Sequence, residues 1–131
     1  MSSRKGGQRG RVLVAEDQDQ MRNALSRLLN LEGFEVVVTT NGARALDAIL
    51  GPDPFDLVLL DVNMPEMDGF EVLEKIRKTP ELENLPVIMV TGHVDSASVL
   101  RGVELKVSEY LVKPYKISDL MSRVNRCLSQ R

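Results

Sequence analysis

The chain has one cysteine, one histidine, no tryptophan and only two tyrosines and three phenylalanines in 131 residues. A lone thiol, Cys127, can form neither an internal disulfide nor a thiolate metal cluster, and it reads as a packing residue in a helix. No signal-peptide-like segment precedes the first apolar run, so a reducing cytoplasm is expected. The scarcity of aromatics argues against a base-stacking surface. Seventeen basic residues stand against nineteen acidic ones, which leaves no electrostatic reason to expect direct nucleic acid binding. No apolar run has the length of a membrane span.

What is present is an alternation of short apolar runs with helical stripes. Residues 1–10 lack apolar periodicity and read as a flexible basic leader, and residues 11–131 read as one domain. Val12–Ala15, Val36–Val38, Leu57–Leu60, Val87–Val90 and Glu109–Val112 read as strands. Between them, Met21, Leu25, Leu28 and Leu29 share a helical face that ends at Gly33, Asn41-Gly42 reads as a turn, and Ala43–Leu50 makes a short helix. Phe70, Leu73 and Ile76 mark a third helix. Asp95 or Ser96 can cap a fourth that buries Val99, Leu100 and Val103, and Ile117, Leu120, Met121, Val124 and Leu128 stripe a fifth. Leu57–Leu60 is apolar on both alternating faces, as a central parallel strand covered on both sides must be. Five strands alternating with five helices predict a doubly wound α/β sandwich with a parallel sheet and right-handed crossovers.

The strand ends carry the chemistry. Glu16-Asp17, Asp61, Thr91 and Lys113 each follow an apolar run at once, and in a parallel sheet these ends lie along one edge, where open α/β sheets keep their binding crevice. Converging carboxylates repel, and a hard cation such as Mg²⁺, which takes oxygen ligands, relieves the repulsion. Lys113 offers a compact positive charge and Thr91 a hydroxyl donor, both suited to phosphoryl oxygens. A carboxylate, a metal, a lysine and a hydroxyl together describe phosphoryl transfer to aspartate.

From Arg11 to Ser129 the chain resembles the receiver domains of two-component response regulators. The resemblance rests on the acidic pair of VLVAED, the stretch LVLLDVNMPEMDG, the IMVTG and YLVKP junctions, and the helical spacers between them. It implies a flavodoxin-like (βα)5 fold in three layers with strand order 2-1-3-4-5. It also implies Asp61 as phosphoacceptor, Asp17 and Asp61 as direct Mg²⁺ ligands, Glu16 acting through water, and the Asn63 backbone carbonyl as a further ligand, with Mn²⁺ able to substitute. Lys113 would pair with Asp61 and then with the phosphoryl group, Thr91 would move toward that group, and Tyr110 would turn inward behind it. The Lys113-Pro114 peptide is expected to be cis. Lys106-Val107 stands where such domains very often have Gly-Ala, so the end of the fourth helix is expected to be shaped differently.

The resemblance implies a signalling switch more than a turnover enzyme. It catalyses its own aspartyl phosphorylation and slow dephosphorylation, receives the phosphoryl group from a sensor histidine kinase or phosphotransfer protein, and acts on a downstream protein effector. The fourth helix, fifth strand and fifth helix would form the output surface, and a phosphorylation-dependent homodimer is compatible with it. No membrane partner is expected. His93 and Asn63 stand where they could tune phosphoaspartate lifetime through the attacking water, against a plain surface-loop histidine. Two rival readings are a phosphorylation-independent interaction module of the same fold and a metal-dependent phosphohydrolase. The first would lack a site residue, and the second would need a general acid and a substrate pocket.

Overall fold

The computed structural model describes residues 9–129. Its strands are β1 (Gly10–Ala15), β2 (Phe34–Thr39), β3 (Leu57–Asp61), β4 (Val87–Thr91) and β5 (Glu109–Val112), all parallel and in the order β2-β1-β3-β4-β5. The helices are α1 (Asp19–Leu31), α2 (Gly42–Ile49), α3 (Gly69–Arg77), α4 (Ser96–Glu104) and α5 (Ile117–Ser129), with a short 3-10 turn at Pro80–Leu82. The expected fold class and strand order are the observed ones. No helix among the described residues is long and apolar enough to cross a membrane.

Strand alternation splits the core in two. Leu13, Ala15, Val58, Leu60, Val87 and Met89 face α2 and α3, meeting Ala45, Ile49, Phe70, Leu73 and Ile76. Val12, Val14, Leu57, Leu59, Ile88 and Val90 face α1 and α5, meeting Leu25, Leu29, Leu120 and Val124. Every residue of β3 is buried, as a central strand covered on both faces requires. Cys127 is buried in the second cluster, which raises its thiol pKa to about 11 through desolvation and Glu109, against the opposing pull of Arg126 and Arg123.

Several local expectations need revision. Residues 1–8 of the expected leader lie outside the described residues, and its last two belong to the folded unit: Gly10 opens β1, and Arg9 donates its N–H to the Gly33 carbonyl at 2.9 Å. Asn41 is a helix cap more than a turn residue, its side chain accepting the Arg44 N–H at 2.9 Å. Of the two cap candidates for α4, Asp95 is the one used, as expected, accepting the Ser98 N–H at 2.8 Å.

The apolar stripe of α4 does not face the core. Val99, Leu100 and Val103 are 42%, 61% and 66% exposed, and the buried residue of that helix is Gly102. Ile117 is likewise exposed at the start of α5. Helical periodicity identifies an apolar face without saying what covers it.

The C-terminal end of α4 is held from outside. The Arg77 guanidinium, at the last position of α3, donates to the carbonyls of Leu105 at 3.0 Å and Lys106 at 2.9 Å. It also donates to those of Leu85 at 2.8 Å, Glu83 at 3.2 Å and Leu82 at 3.3 Å. Burial lowers the pKa of Arg77, but a guanidinium stays charged in proteins, so five peptide dipoles converge on a cation. Lys106 takes a left-handed conformation with φ 57. A lysine therefore occupies the backbone conformation that a glycine adopts without steric cost.

Two outcomes follow for stability. Arg77→Ala, which removes the donor shared by five carbonyls, three of them in part-buried bonds, is expected to lower unfolding free energy by about 2–3 kcal/mol, read as a shifted denaturation midpoint with unchanged slope. Lys106→Gly should raise it by about 0.5–1 kcal/mol, because the relief of left-handed strain exceeds the added unfolded-state entropy.

Candidate functional site

Register brings the strand ends together. Ala15 pairs with Leu60, so the residues that follow, Glu16 and Asp61, emerge side by side from β1 and β3. On the far side Thr91 pairs with Val112, so Lys113 leaves β5 just beyond Thr91, and its N–H bonds to the Thr91 carbonyl at 2.7 Å. The Lys113-Pro114 peptide is cis, as expected.

Glu16 and Asp61 are 1% and 4% exposed. Lys113 Nζ lies 2.9 Å from Glu16 Oε1 and 3.2 Å from Asp61 Oδ2. Burial opposes the charge of this lysine, but the hydrogen bond it donates to Glu16 and the charge of Asp61 outweigh it and raise its pKa above the ordinary value. The remaining oxygen of each carboxylate meets a backbone amide: Gln18 N–H donates to Glu16 Oε2 at 3.1 Å, and Asn63 N–H to Asp61 Oδ1 at 3.0 Å.

Asp17 is different. Its carboxylate is exposed and has no hydrogen-bond or ion-pair partner among the described residues. Glu16, Asp17 and Asp61 each offer an oxygen, all within 4.8 Å of one another. The Asn63 carbonyl accepts no hydrogen bond among the described residues. Three carboxylates with one lysine to balance them, all ligands oxygen, fit a hard divalent cation of the Mg²⁺ kind.

The loop after β3 needs its glycine. A Cβ on Gly69 would lie 2.6 Å from the Asp61 carbonyl oxygen and 3.0 Å from Val62 Cα, so the first turn of α3 rests directly on the strand end. The Asp68 side chain and Glu71 close that turn as a capping box. Gly92, by contrast, has nothing within 4 Å of where a Cβ would stand. No packing demands its smallness.

Thr91 and Tyr110 stand apart from the acidic cluster in their contacts. The buried Thr91 hydroxyl donates to the His93 carbonyl at 2.9 Å and accepts the His93 N–H at 3.2 Å. The His93 imidazole is 78% exposed, its Nε2 3.5 Å from Asp95 on the cap of α4. The Tyr110 hydroxyl donates to the Ser98 carbonyl at 2.6 Å, and its ring fills the space that a side chain on Gly102 would need. Desolvation raises the pKa of this phenol.

Sequence reading thus named Glu16, Asp17, Asp61 and Lys113, and the fold brings these together. It missed Gly102, whose signal was a glycine inside a short helix. It also missed Arg22, one turn into α1, whose guanidinium reaches back to the carbonyls of Glu16 and Asp17 at 3.1 and 3.5 Å.

Residues 12–125 match the model of the response regulator receiver domain. The chain is 36% identical over 118 residues to the transcriptional regulatory protein CpxR of Escherichia coli, covering 90% of this chain and 49% of that one. It is 33% identical to the uncharacterized transcriptional regulatory protein YkoG of Bacillus subtilis, covering 94% and 53%. It therefore spans about half the length of these curated relatives. Among solved structures, the signal receiver domain of a Syntrophus aciditrophicus histidine kinase superposes with a TM-score of 0.84 at 33% identity, covering 92% and 91%. Vibrio cholerae CheY4 gives 0.84 at 30%, covering 90% and 98%. The shared fold, the shared sequence and a match over nearly the whole chain have one consequence: it belongs to the response regulator receiver domain family.

Proposed function

We propose that this chain is a phosphorylation-dependent switch in which Asp61 accepts a phosphoryl group from a histidine kinase or phosphotransfer protein. The observation that carries this reading is the Lys113 ammonium bridging Glu16 and Asp61 beside Asp17, whose carboxylate has no partner among the described residues. An Asp61 oxygen forms the new P–O bond as the P–N bond of the donor phosphohistidine breaks. The Asn63 N–H holds one Asp61 oxygen and so orients the other. Lys113 lies within reach of a phosphoryl oxygen and offsets the incoming charge. Mg²⁺, held by Asp17, Asp61 and the Asn63 carbonyl, with Glu16 through water, would neutralise charge developing on the phosphoryl oxygens, and Mn²⁺ would serve in its place.

Phosphorylation adds about −1.5 to −2 charges. To donate to that group, the Thr91 hydroxyl gives up its bonds to His93, and the loop leading into α4 is freed to rearrange. Tyr110 shares that helix through Ser98, so Thr91 and Tyr110 act as the switch pair. His93, turned toward Asp95, acts on the α4 cap. The exposed Val99, Leu100, Val103 and Val112 belong to α4 and β5 and present an apolar surface to a protein effector or to a second copy of the chain. The described residues 9–129 work as one receiver domain, in the cytoplasm, without touching nucleic acid themselves.

The test is chemical. With Mg²⁺ and acetyl phosphate, intact-mass measurement should show one alkali-labile phosphoryl adduct mapping to Asp61, lost in Asp61→Asn and on chelation with EDTA. Lys113→Ala should lower the phosphorylation rate about a hundredfold. An adduct that persists in Asp61→Asn defeats the proposal. Sustained phosphate release from small monoesters would favour a hydrolase instead.

A further inference from the structure

Three helices begin on a side-chain cap: Asn41 for α2, Asp68 for α3 and Asp95 for α4. The first does not. Gln18 stands at the N-cap of α1 and makes no side-chain cap bond, although the turn it closes presents the acidic pair. That turn is closed from the other side, by Arg22.

One guanidinium nitrogen of Arg22 donates to the Glu16 carbonyl at 3.1 Å and, more weakly, to the Asp17 carbonyl at 3.5 Å. The other is bonded to the Asp19 carboxylate. The side chain is only 14% exposed, whereas that of Asp19 is 81% exposed. The fork is therefore anchored at its solvent end by Asp19 and aimed inward at peptide oxygens. It occupies none of the Glu16 or Asp17 carboxylate oxygens.

We infer that Arg22 is a positioning residue for divalent-cation binding, fixing the Glu16-Asp17 backbone so that the free Asp17 carboxylate is presented beside Glu16 and Asp61. This rests on the reading of the acidic cluster as a cation site. A planar fork can hold carbonyls and a carboxylate together, which an ammonium cannot do in the same geometry. Residues that orient ligands from behind commonly control metal affinity.

The sign of the effect separates positioning from charge. Arg22 is a cation close to a cation site, so Coulomb's law alone makes its removal tighten metal binding. Positioning makes its removal weaken binding. The probe is Mn²⁺, with free ion counted by its electron paramagnetic resonance signal during titration of the purified chain, and folding checked by circular dichroism. Wild type should bind, and Asp17→Asn should bind far less. Arg22→Ala should bind about tenfold more weakly than wild type, and Arg22→Lys, which keeps the charge without the fork, should fall nearer to Ala than to wild type. If Arg22→Ala does not fold, Arg22→Gln takes its place with the same expected direction. Equal or tighter Mn²⁺ binding in the neutral variant overturns the inference, as does full recovery by Lys. No binding in wild type overturns the cation reading itself, and this inference with it.

Discussion

Two carboxylates taken out of water side by side repel each other and call for a counter-charge, and the arrangement at the sheet edge meets that constraint with one lysine shared between Glu16 and Asp61. Removing one member of such a buried group leaves the others uncompensated, and the loss is large. The fold supplies the convergence. The order β2-β1-β3-β4-β5 sets the ends of β1 and β3 next to each other, and Lys113 must extend past the end of β4 to reach them. Beside this lysine, the Asp17 carboxylate has no partner among the described residues, so the acidic edge is balanced only in part. An acidic edge balanced in this way suits a hard divalent cation.

The parts of this architecture that sequence made legible are those where one physical cause acts alone. Continuous burial of Leu57–Leu60 forces an apolar run, and a charged residue directly after such a run has nowhere to go but the crevice. Asp61, Lys113 and Glu16 could be named for that reason. Where two causes compete, the sequence was ambiguous. The stripe of Val99, Leu100 and Val103 has the spacing of a core face, yet Gly102 is what α4 turns inward, because the space beneath it is filled by Tyr110. Asn41-Gly42 has turn composition, yet the same asparagine is a helix cap. Arg22 and Arg77 left almost no trace, since a guanidinium bound to backbone carbonyls needs no particular side chain as its partner.

The two arginines do similar work at different places. Arg22 closes the turn that carries the acidic pair, and Arg77 gathers the peptide oxygens around the C-terminal end of α4. At its N-terminal end α4 is tied through Asp95 and through the bond from Tyr110 to Ser98.

Gly102 and Tyr110 share one volume, and that makes them a single unit of sequence. A methyl group at position 102 cannot coexist with a phenol in its present seat, so position 102 cannot take a side chain while Tyr110 and α4 keep their places. A receiver redesigned with a bulkier residue at 102 would need a smaller one at 110, and the hydroxyl that now grips Ser98 would go with it. Transplanting α4 onto another receiver would therefore have to carry a residue of β5 along.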